Sequence, residues 1–348
     1  MTRAHLLHDG GVDPVEALRE TAFWLERERA SSYRVEAFRK AAAALADLTA
    51  EDVAERAGAG ALARMKGLGP RTITVVEQSL AGEVPAYLAD LRERNTEPLA
   101  EGGAELRALL RGDLHSHTDW SDGGSPIDEM ARAAAWRGRE YQAITDHSPR
   151  LTVANGLSRE RLEVQLEVIA DVNVSDPGVT LLTGIEVDIL DDGGLDQDDD
   201  LLGRLDVVVA SVHSKLRMDS AAMTRRMVAA VSNPHTDVLG HCTGRLVEGS
   251  RGTRKQSQFD AEQVFRACAD HGVAVEINSR TERQDPPDEL IDLANELGCL
   301  FSIDTDAHAP GQLDFLDHGA ERAAARGLDP DRIVTTWSLE RLRDWLSR

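Results

Sequence analysis

Two runs in this chain place histidines and acids two residues apart: Asp113-Leu114-His115-Ser116-His117 and Asp304-Thr305-Asp306-Ala307-His308. On an extended strand residues i and i+2 face the same way, about 6.6 Å apart along the backbone, so each run aims a pair of ligand atoms at one point. Between them come Thr145-Asp146-His147, Gly184-Ile185-Glu186-Val187-Asp188, Ser211-Val212-His213-Ser214 and Gly240-His241-Cys242, with Asp122 just after the first pair. Neutral imidazoles mixed with carboxylates suit Zn²⁺, Mn²⁺ or Fe²⁺, and the near absence of Cys from these positions argues against a structural zinc clasp. Two or three such ions would lower the pKa of water toward neutrality and neutralise the charge of a phosphoryl group, which is the requirement for hydrolysing a phosphate ester. The remaining histidines carry no such pattern: His5, His8, His271 and His318 read as solvated or packed, and His235 sits in a turn after Asn233-Pro234.

The elements that must hold these residues form an α/β pattern. Seven short β-like runs are expected at Asp113–His115, Tyr141–Thr145, Thr180–Val187, Asp206–Val212, Asp237–His241, Val273–Asn278 and Leu300–Asp304. Helical patterns separate them, at Pro126–Trp136, Arg159–Val172, Ala222–Val231, Ala261–Asp270 and Pro287–Leu297. Repeated β-then-α units imply parallel strands with right-handed crossovers, and seven in a row favour a closed TIM-like barrel. Every strand but the sixth ends in candidate ligands, and in such a barrel the C-terminal strand ends converge on one rim. The last strand closes against the first, which brings the two spaced pairs together.

Residues 1–95 read differently, as an all-α domain. Asp13-Pro14 supplies an N-cap and a Pro at the first helical position, and Val15, Leu18, Ala22, Phe23 and Leu25 give a first apolar stripe. A second helix from Ser32 carries Val35, Phe38, Ala41, Ala42 and Leu45, and a weaker third covers Glu51 to Arg56. Then Gly67-Leu68-Gly69-Pro70-Arg71 precedes the apolar run Thr72–Leu80, the pattern of two short helices joined by a Gly-x-Gly turn. The glycines let the backbone approach a phosphate and the following helix aims its first amides at that anion, which makes Gly67, Gly69 and Arg71 candidate DNA contacts. Such a turn is also what a plain αα-hairpin needs. Residues 96–111 form a linker, and 112–348 the barrel.

Composition sets outer limits. No apolar run approaches the ~20 residues that span a bilayer, and the first residues lack the apolar core of a signal peptide. Three cysteines, Cys242, Cys268 and Cys299, show no CxxC spacing, so a cytoplasmic location without disulfides is expected. Net charge is −22. Most of the excess falls on residues 111–348, which opposes broad non-specific DNA binding and suits a site that balances several cations.

With these residues in view, the barrel resembles the PHP (polymerase and histidinol phosphatase) family. The matching motifs are Asp113–Thr118, Thr145–His147, Gly184–Asp188, Ser211–Ser214, Leu239–His241 and Thr305–His308. The resemblance implies a distorted (β/α)7 barrel with a trinuclear metal centre. By that likeness one metal would take His115, His117, Glu186 and Asp306. A second would share Glu186 and add His213 and His241, and a third would use Asp122, His147 and His308. Apart from that likeness, Arg245, and after it Lys215 and Arg283, stand on loops at the same face where they would either contact the phosphate or serve as surface charges and loop salt bridges, while Asp146 and Asp188 are placed to orient ligand imidazoles.

The pairing of modules resembles the bacterial family X DNA polymerases, which carry a helix-hairpin-helix domain at one end and a PHP barrel at the other. Asn233–Arg245 and Glu276-Ile277-Asn278 look like that branch. Three departures stand out. Only a short linker separates the modules here, with no room for a nucleotidyl-transferase palm, so DNA synthesis is not expected. Val75 stands where related lyase domains have a Schiff-base Lys and cannot do imine chemistry. Cys242 replaces a usual Pro, a packing change that would also put an oxidisable thiol near the metals. The expected activity is hydrolysis at DNA 3′ ends or 3′–5′ exonuclease action. A phosphomonoesterase for a small metabolite such as histidinol phosphate is the alternative, and a DNA-binding adaptor with an inert barrel is disfavoured by the full ligand set.

Overall fold

The computed structural model describes residues 12–249 and 252–348, and the chain divides into two compact units. His5 and His8 lie outside the described residues. One unit runs up to Pro98 and takes in Pro310–Gln312, and the other comprises Leu99–Ala309 and Leu313–Arg348.

The first unit is all helical: α1 Pro14–Arg27, α2 Ser32–Leu45, α3 Ala50–Gly58, α4 Pro70–Leu80 and α5 Ala86–Arg94. Asp13 caps α1 by accepting from Val15 N at 2.9 Å and Glu16 N at 3.1 Å, and Thr49 and Asp52 form a reciprocal capping box on α3. Leu18, Ala22 and Leu25 of α1 are buried with Phe38, Ala41 and Leu45 of α2, Val75 and Val76 of α4 and Leu88 and Leu91 of α5. The apolar spacing seen in the sequence is therefore one helical core. Bidentate pairing of Arg92 with Glu20, at 2.7 and 2.6 Å, ties α5 to α1.

The second unit opens with α6 Ala104–Leu109 and contains seven strands: β1 Gly112–Asp113, β2 Tyr141–Ile144, β3 Thr180–Asp188, β4 Val207–Ser211, β5 Val238–Leu239, β6 Ala274–Asn278 and β7 Leu300–Asp304. All neighbours are parallel and the order is β1 through β7 in sequence. The crossovers carry α7 Ile127–Trp136, α8 Arg159–Val174, α9 Asp199–Leu202, α10 Ser220–Val231, α11 Ala261–His271 and α12 Asp288–Glu296, and α13 Leu316–Ala325 and α14 Leu339–Leu346 follow β7. This is a (β/α)7 barrel, nearly closed. Alternate strand residues divide between two cores, as a closed barrel requires. Val208 and Ala210 of β4 pack outward with Met223, Met227 and Phe265, whereas Val207 and Val209 pack with Leu114, Tyr141 and Ala274 inside.

The seam between β1 and β7 explains why β1 ends two residues before its expected end at His115. Leu114 N donates to the Asp304 carboxylate at 2.7 Å, and Thr305 N and Oγ1 donate to Asp113 at 3.2 and 2.5 Å. Side-chain oxygens thus replace backbone carbonyls where a ladder would continue. Backbone pairing resumes one step later, with His117 N on Ala307 O at 2.8 Å, so the two spaced pairs lie side by side. Burial raises the carboxyls of both Asp113 and Asp304 above the usual range, Asp304 the more so with Asp113 beside it.

Candidate metal centre

All nine candidate ligands reach the C-terminal rim of the barrel. Their ligand atoms fall into four overlapping groups, each with its members within 4.8 Å of one another: His117, Asp122, His147 and His308; His115, His117 and Asp306; His115, Glu186 and His241; His147, Glu186 and His213. Glu186 belongs to two groups and is 1% exposed. Its Oε1 lies 2.8 Å from His241 Nε2 and 3.2 Å from His213 Nε2, and its Oε2 lies 2.8 Å from His147 Nδ1 and 3.4 Å from His115 Nε2. On the other side of the cluster, Asp122 Oδ1 is 3.4 Å from both His147 Nε2 and His308 Nε2, and Asp306 Oδ1 is 3.3 Å from His117 Nε2.

The donor set fits divalent cations. Both oxygens of Glu186, Nε2 of His213 and both ring nitrogens of His241 are buried yet make no hydrogen bond. Buried polar atoms normally find partners, and here the lone pairs face one another around common points, where cations belong. The charges agree. Burial opposes ionisation of Glu186, but the imidazoles of His213, His115 and His147 hold its carboxyl well below the usual carboxylate range. Burial, reinforced by His308 and His147, holds His117 well below the ordinary imidazole value, which keeps its lone pair free to ligate. His213 is the converse: despite burial, Glu186 and Asp188 push it up to about 9.

Outer contacts fix the ring orientations. Asp188 accepts from His213 Nδ1, as the sequence suggested. Asp146 does not orient an imidazole; it accepts from Thr118 N at 2.8 Å, Thr118 Oγ1 at 2.6 Å and Gln165 Nε2 at 2.6 Å, and so braces the loop that carries Asp122. His308 Nδ1 lies 2.9 Å from both Asp306 O and Arg280 Nη1, contacts that hold the ring with Nε2 toward Asp122. Asp306 adopts a left-handed backbone, φ 51°, of the kind that collects at functional sites.

The cations expected to meet the phosphate are otherwise engaged. Arg245 donates Nε to the carbonyls of Arg283, at 3.2 Å, and Gln284, at 2.8 Å, and so holds the β6 loop. Arg283 is 8% exposed and pairs with Asp306 Oδ2 at 3.0 Å. Despite burial, this guanidinium and His117 keep Asp306 well below the usual carboxylate range. Lys215 is exposed and paired with Asp191.

Two residues of the site were not drawn from the ligand pattern. Glu276 lies in β6, the strand that ends without a ligand, and bonds His115 Nδ1 at 2.6 Å and the backbone of His241. A single acid inside Ala-Val-Glu-Ile-Asn was the available signal, since period two turns it inward with Ala274. Arg280 donates to Asp306 O at 3.0 Å from the loop after β6, and nothing in its sequence context marks it. Cys242 is 3% exposed, and burial together with Asp285 pushes its thiol well up, so it is a packed, protonated group.

In the helical unit, Gly67 has φ +98° and a Cβ there would meet Lys40 O at 3.1 Å. Gly69 caps α4, its amide donating to Thr72 Oγ1 at 2.9 Å. Arg71 is exposed and stacks over Tyr87, 5.2 Å from its centroid. Val75 is 1% exposed, inside the helical core.

A parallel seven-stranded barrel with this rim is the architecture of a metal-dependent phosphoesterase. Residues 113–280 match the PHP domain and residues 12–84 a helix-hairpin-helix domain. The chain thus carries a PHP domain with a helix-hairpin-helix domain ahead of it in the sequence, the arrangement of a metal-dependent phosphoesterase. It is 38% identical over 239 residues to the "DNA polymerase/3'-5' exonuclease PolX" of Bacillus subtilis (strain 168), a match covering 69% of this chain and 41% of that protein. A probable phosphatase of Thermoanaerobacter sp. (strain X514) is 28% identical over 236 residues, 64% of this chain and 89% of its own. A solved histidinol phosphate phosphatase from Lactococcus lactis, complexed with zinc, L-histidinol and phosphate, covers 63% of this chain and 95% of its own at 18% identity and TM-score 0.45. No helix among the described residues is long and apolar enough to cross a membrane.

Proposed function

We propose that the chain hydrolyses phosphodiesters at DNA 3′ ends, as an end-processing enzyme or 3′–5′ exonuclease. The observation that carries this reading is the helix-hairpin-helix turn at Gly67–Gly69 with an exposed Arg71 on the first turn of the helix that follows. Such a turn suits contact with a phosphate backbone, a role that a phosphatase for a small metabolite does not require. The exonuclease named in the B. subtilis relative supports the same substrate class. A second reading, a small-molecule phosphomonoesterase acting on a compound such as histidinol phosphate, draws support from the strongly acidic chain, net −22, and from the relatives named as probable phosphatases.

For the metals, the reading assigns His115, His117, Glu186 and Asp306 to one ion. Glu186, His213 and His241 would hold a second, and Asp122, His147 and His308 a third, all Zn²⁺, Mn²⁺ or Fe²⁺; the ligand atoms of His213 also group with Glu186 and His147, and those of His241 with Glu186 and His115. Bound ions supply Lewis acidity toward water and toward the phosphoryl oxygens. The protein's own residues hold the ligands in register. Glu186 stays ionised between two groups, His117 stays neutral, and Glu276 and Asp188 accept the Nδ1 protons of His115 and His213 so that each Nε2 points inward. The exposed edge of the cluster is formed by Asp122, His308 and His213, which directs a substrate phosphate to that side.

The test compares Mn²⁺- and Zn²⁺-loaded protein on a 3′-labelled oligonucleotide and on histidinol phosphate, with His115→Ala as control. Shortening of the oligonucleotide that His115→Ala abolishes is the expected result. Turnover of histidinol phosphate with an untouched oligonucleotide would replace the DNA reading with the second one.

A further inference from the structure

The bulkiest fully buried side chain among the described residues is a cation, Arg226 of α10, at 1% exposure. Burying a guanidinium is costly unless its donors are satisfied, and no carboxylate lies within ion-pair distance of it among the described residues. Carbonyl oxygens satisfy it instead, and they come from two loops. Nε donates to Leu190 O at 2.8 Å and Nη2 to Ile189 O, both just beyond Asp188 at the end of β3. Nη1 donates to Ser214 O at 2.9 Å, one residue beyond His213 at the end of β4. Asp188 and His213 are themselves bonded to each other. The contacts therefore close a ring: Arg226, residues 189–190, Asp188, His213, Ser214 and back to Arg226. Within it the free Nε2 of His213 faces Glu186 Oε1 at 3.2 Å.

The same loop is pressed against α10 at a second point. Gly193 has φ +92°, and a Cβ there would meet Ala229 Cβ at 2.5 Å and Arg226 O at 2.7 Å. Only glycine lets the β3 loop lie this close to the helix. A planar fork with fixed donor directions is suited to bind two loops in one geometry, which a flexible ammonium cannot reproduce.

We infer that Arg226 is a positioning residue for the metal held by His213: it fixes the loop after β3 to the loop after β4, so that the Asp188–His213 pair presents Nε2 to the cluster. The inference rests on reading His213 as a metal ligand. A residue that only stabilised the fold would leave metal affinity unchanged once the protein had folded.

The experiment uses the full chain as wild type, Arg226→Met, Arg226→Lys, Gly193→Ala and His213→Ala. Bound Mn²⁺ is counted after dialysis against graded chelator, and the Mn²⁺-induced rise in Tm is recorded beside the metal-free Tm. Arg226→Met should release one ion at about tenfold lower chelator, the range that loss of a ligand-orienting partner produces, and should gain less Tm on metal addition. Arg226→Lys should recover part of the loss. Gly193→Ala, which lifts the loop with Arg226 intact, should release the same ion and carries the test if Arg226→Met does not fold. Wild-type ion count and affinity in the folded Arg226 or Gly193 variants, with only a lower metal-free Tm, would overturn the inference. Retention of every ion by His213→Ala would instead remove the ligand assignment beneath it.

Discussion

His115 Nδ1 lies 2.6 Å from Glu276 Oε1, with both side chains fully buried. The contact leaves His115 only one nitrogen, Nε2, for the cluster, and it supplies the carboxylate that makes the imidazole a stronger donor. Glu276→Gln preserves the shape but presents either a neutral oxygen or an amide to Nδ1. We expect metal affinity to fall by roughly 10- to 100-fold, read by chelator competition, while the far-UV spectrum stays that of the wild type. Unchanged affinity would mean that Glu276 supports the fold alone.

Gly156 allows a second, purely steric test. A Cβ at this position would come within 1.8 Å of Ser148 O and 3.3 Å of His147 O, and Ser148 N donates to Glu186 O at 3.1 Å. Gly156→Ala must therefore displace the segment that carries His147. The expected cost in a urea melt is on the order of 2 kcal/mol, accompanied by weaker binding of the ion proposed for Asp122, His147 and His308. A melt and an ion count equal to wild type would show that the segment can shift without moving the imidazole.

Much of the barrel was legible because strand ends and function coincide. A histidine or acid closing a short apolar run is costly in a core, so each of the six runs that ends this way marks both a strand and a candidate ligand. Glu276 was harder to see, because it stands within its strand and acts through His115 and His241. The contacts of Arg245 and Asp146 are hidden for a related reason: residue type and loop position suggest phosphate and imidazole, whereas the bonds in the fold run to the carbonyls of residues 283–284 and to the hydroxyls and amides around Thr118. Which of several nearby acceptors a long side chain reaches depends on loop geometry that no spacing encodes. The shortness of β1 has the same origin, since it depends on Asp113 and Asp304 meeting from opposite ends of the barrel sequence.

The hairpin offers a test that separates strand binding from ester chemistry. Arg71→Ala removes an exposed cation from the first turn of α4. We expect KM for a labelled oligonucleotide to rise about fivefold or more, and the slope of log KM against log salt to fall by about 0.7, the value for one lost phosphate contact on a single strand. Hydrolysis of p-nitrophenyl phosphate measured in parallel reports the barrel alone. An oligonucleotide KM and salt slope equal to wild type would remove Arg71 from the strand path.

Asp237 sets a pH dependence remote from the metals. It is 8% exposed, and burial pushes its carboxyl up to about 7, only partly offset by the bond it accepts from Val208 N at 2.9 Å. A carboxyl raised in the folded state binds its proton more tightly than in the unfolded chain, so the stability it contributes is complete below about pH 4 and is lost as pH rises through about 7. Asp237→Asn mimics the protonated form at every pH. The variant should therefore exceed wild type by about 1.5 kcal/mol near pH 5 and by up to about 4 kcal/mol at pH 8 from a shift of this size, and by less where solvent and Arg348, 3.5 Å away, screen the charge. Urea unfolding of metal-free protein at the two pH values measures the difference, and the comparison with wild type cancels every other titrating group. A variant equal to or less stable than wild type at pH 8 would show that Asp237 is ionised and usefully paired in the fold.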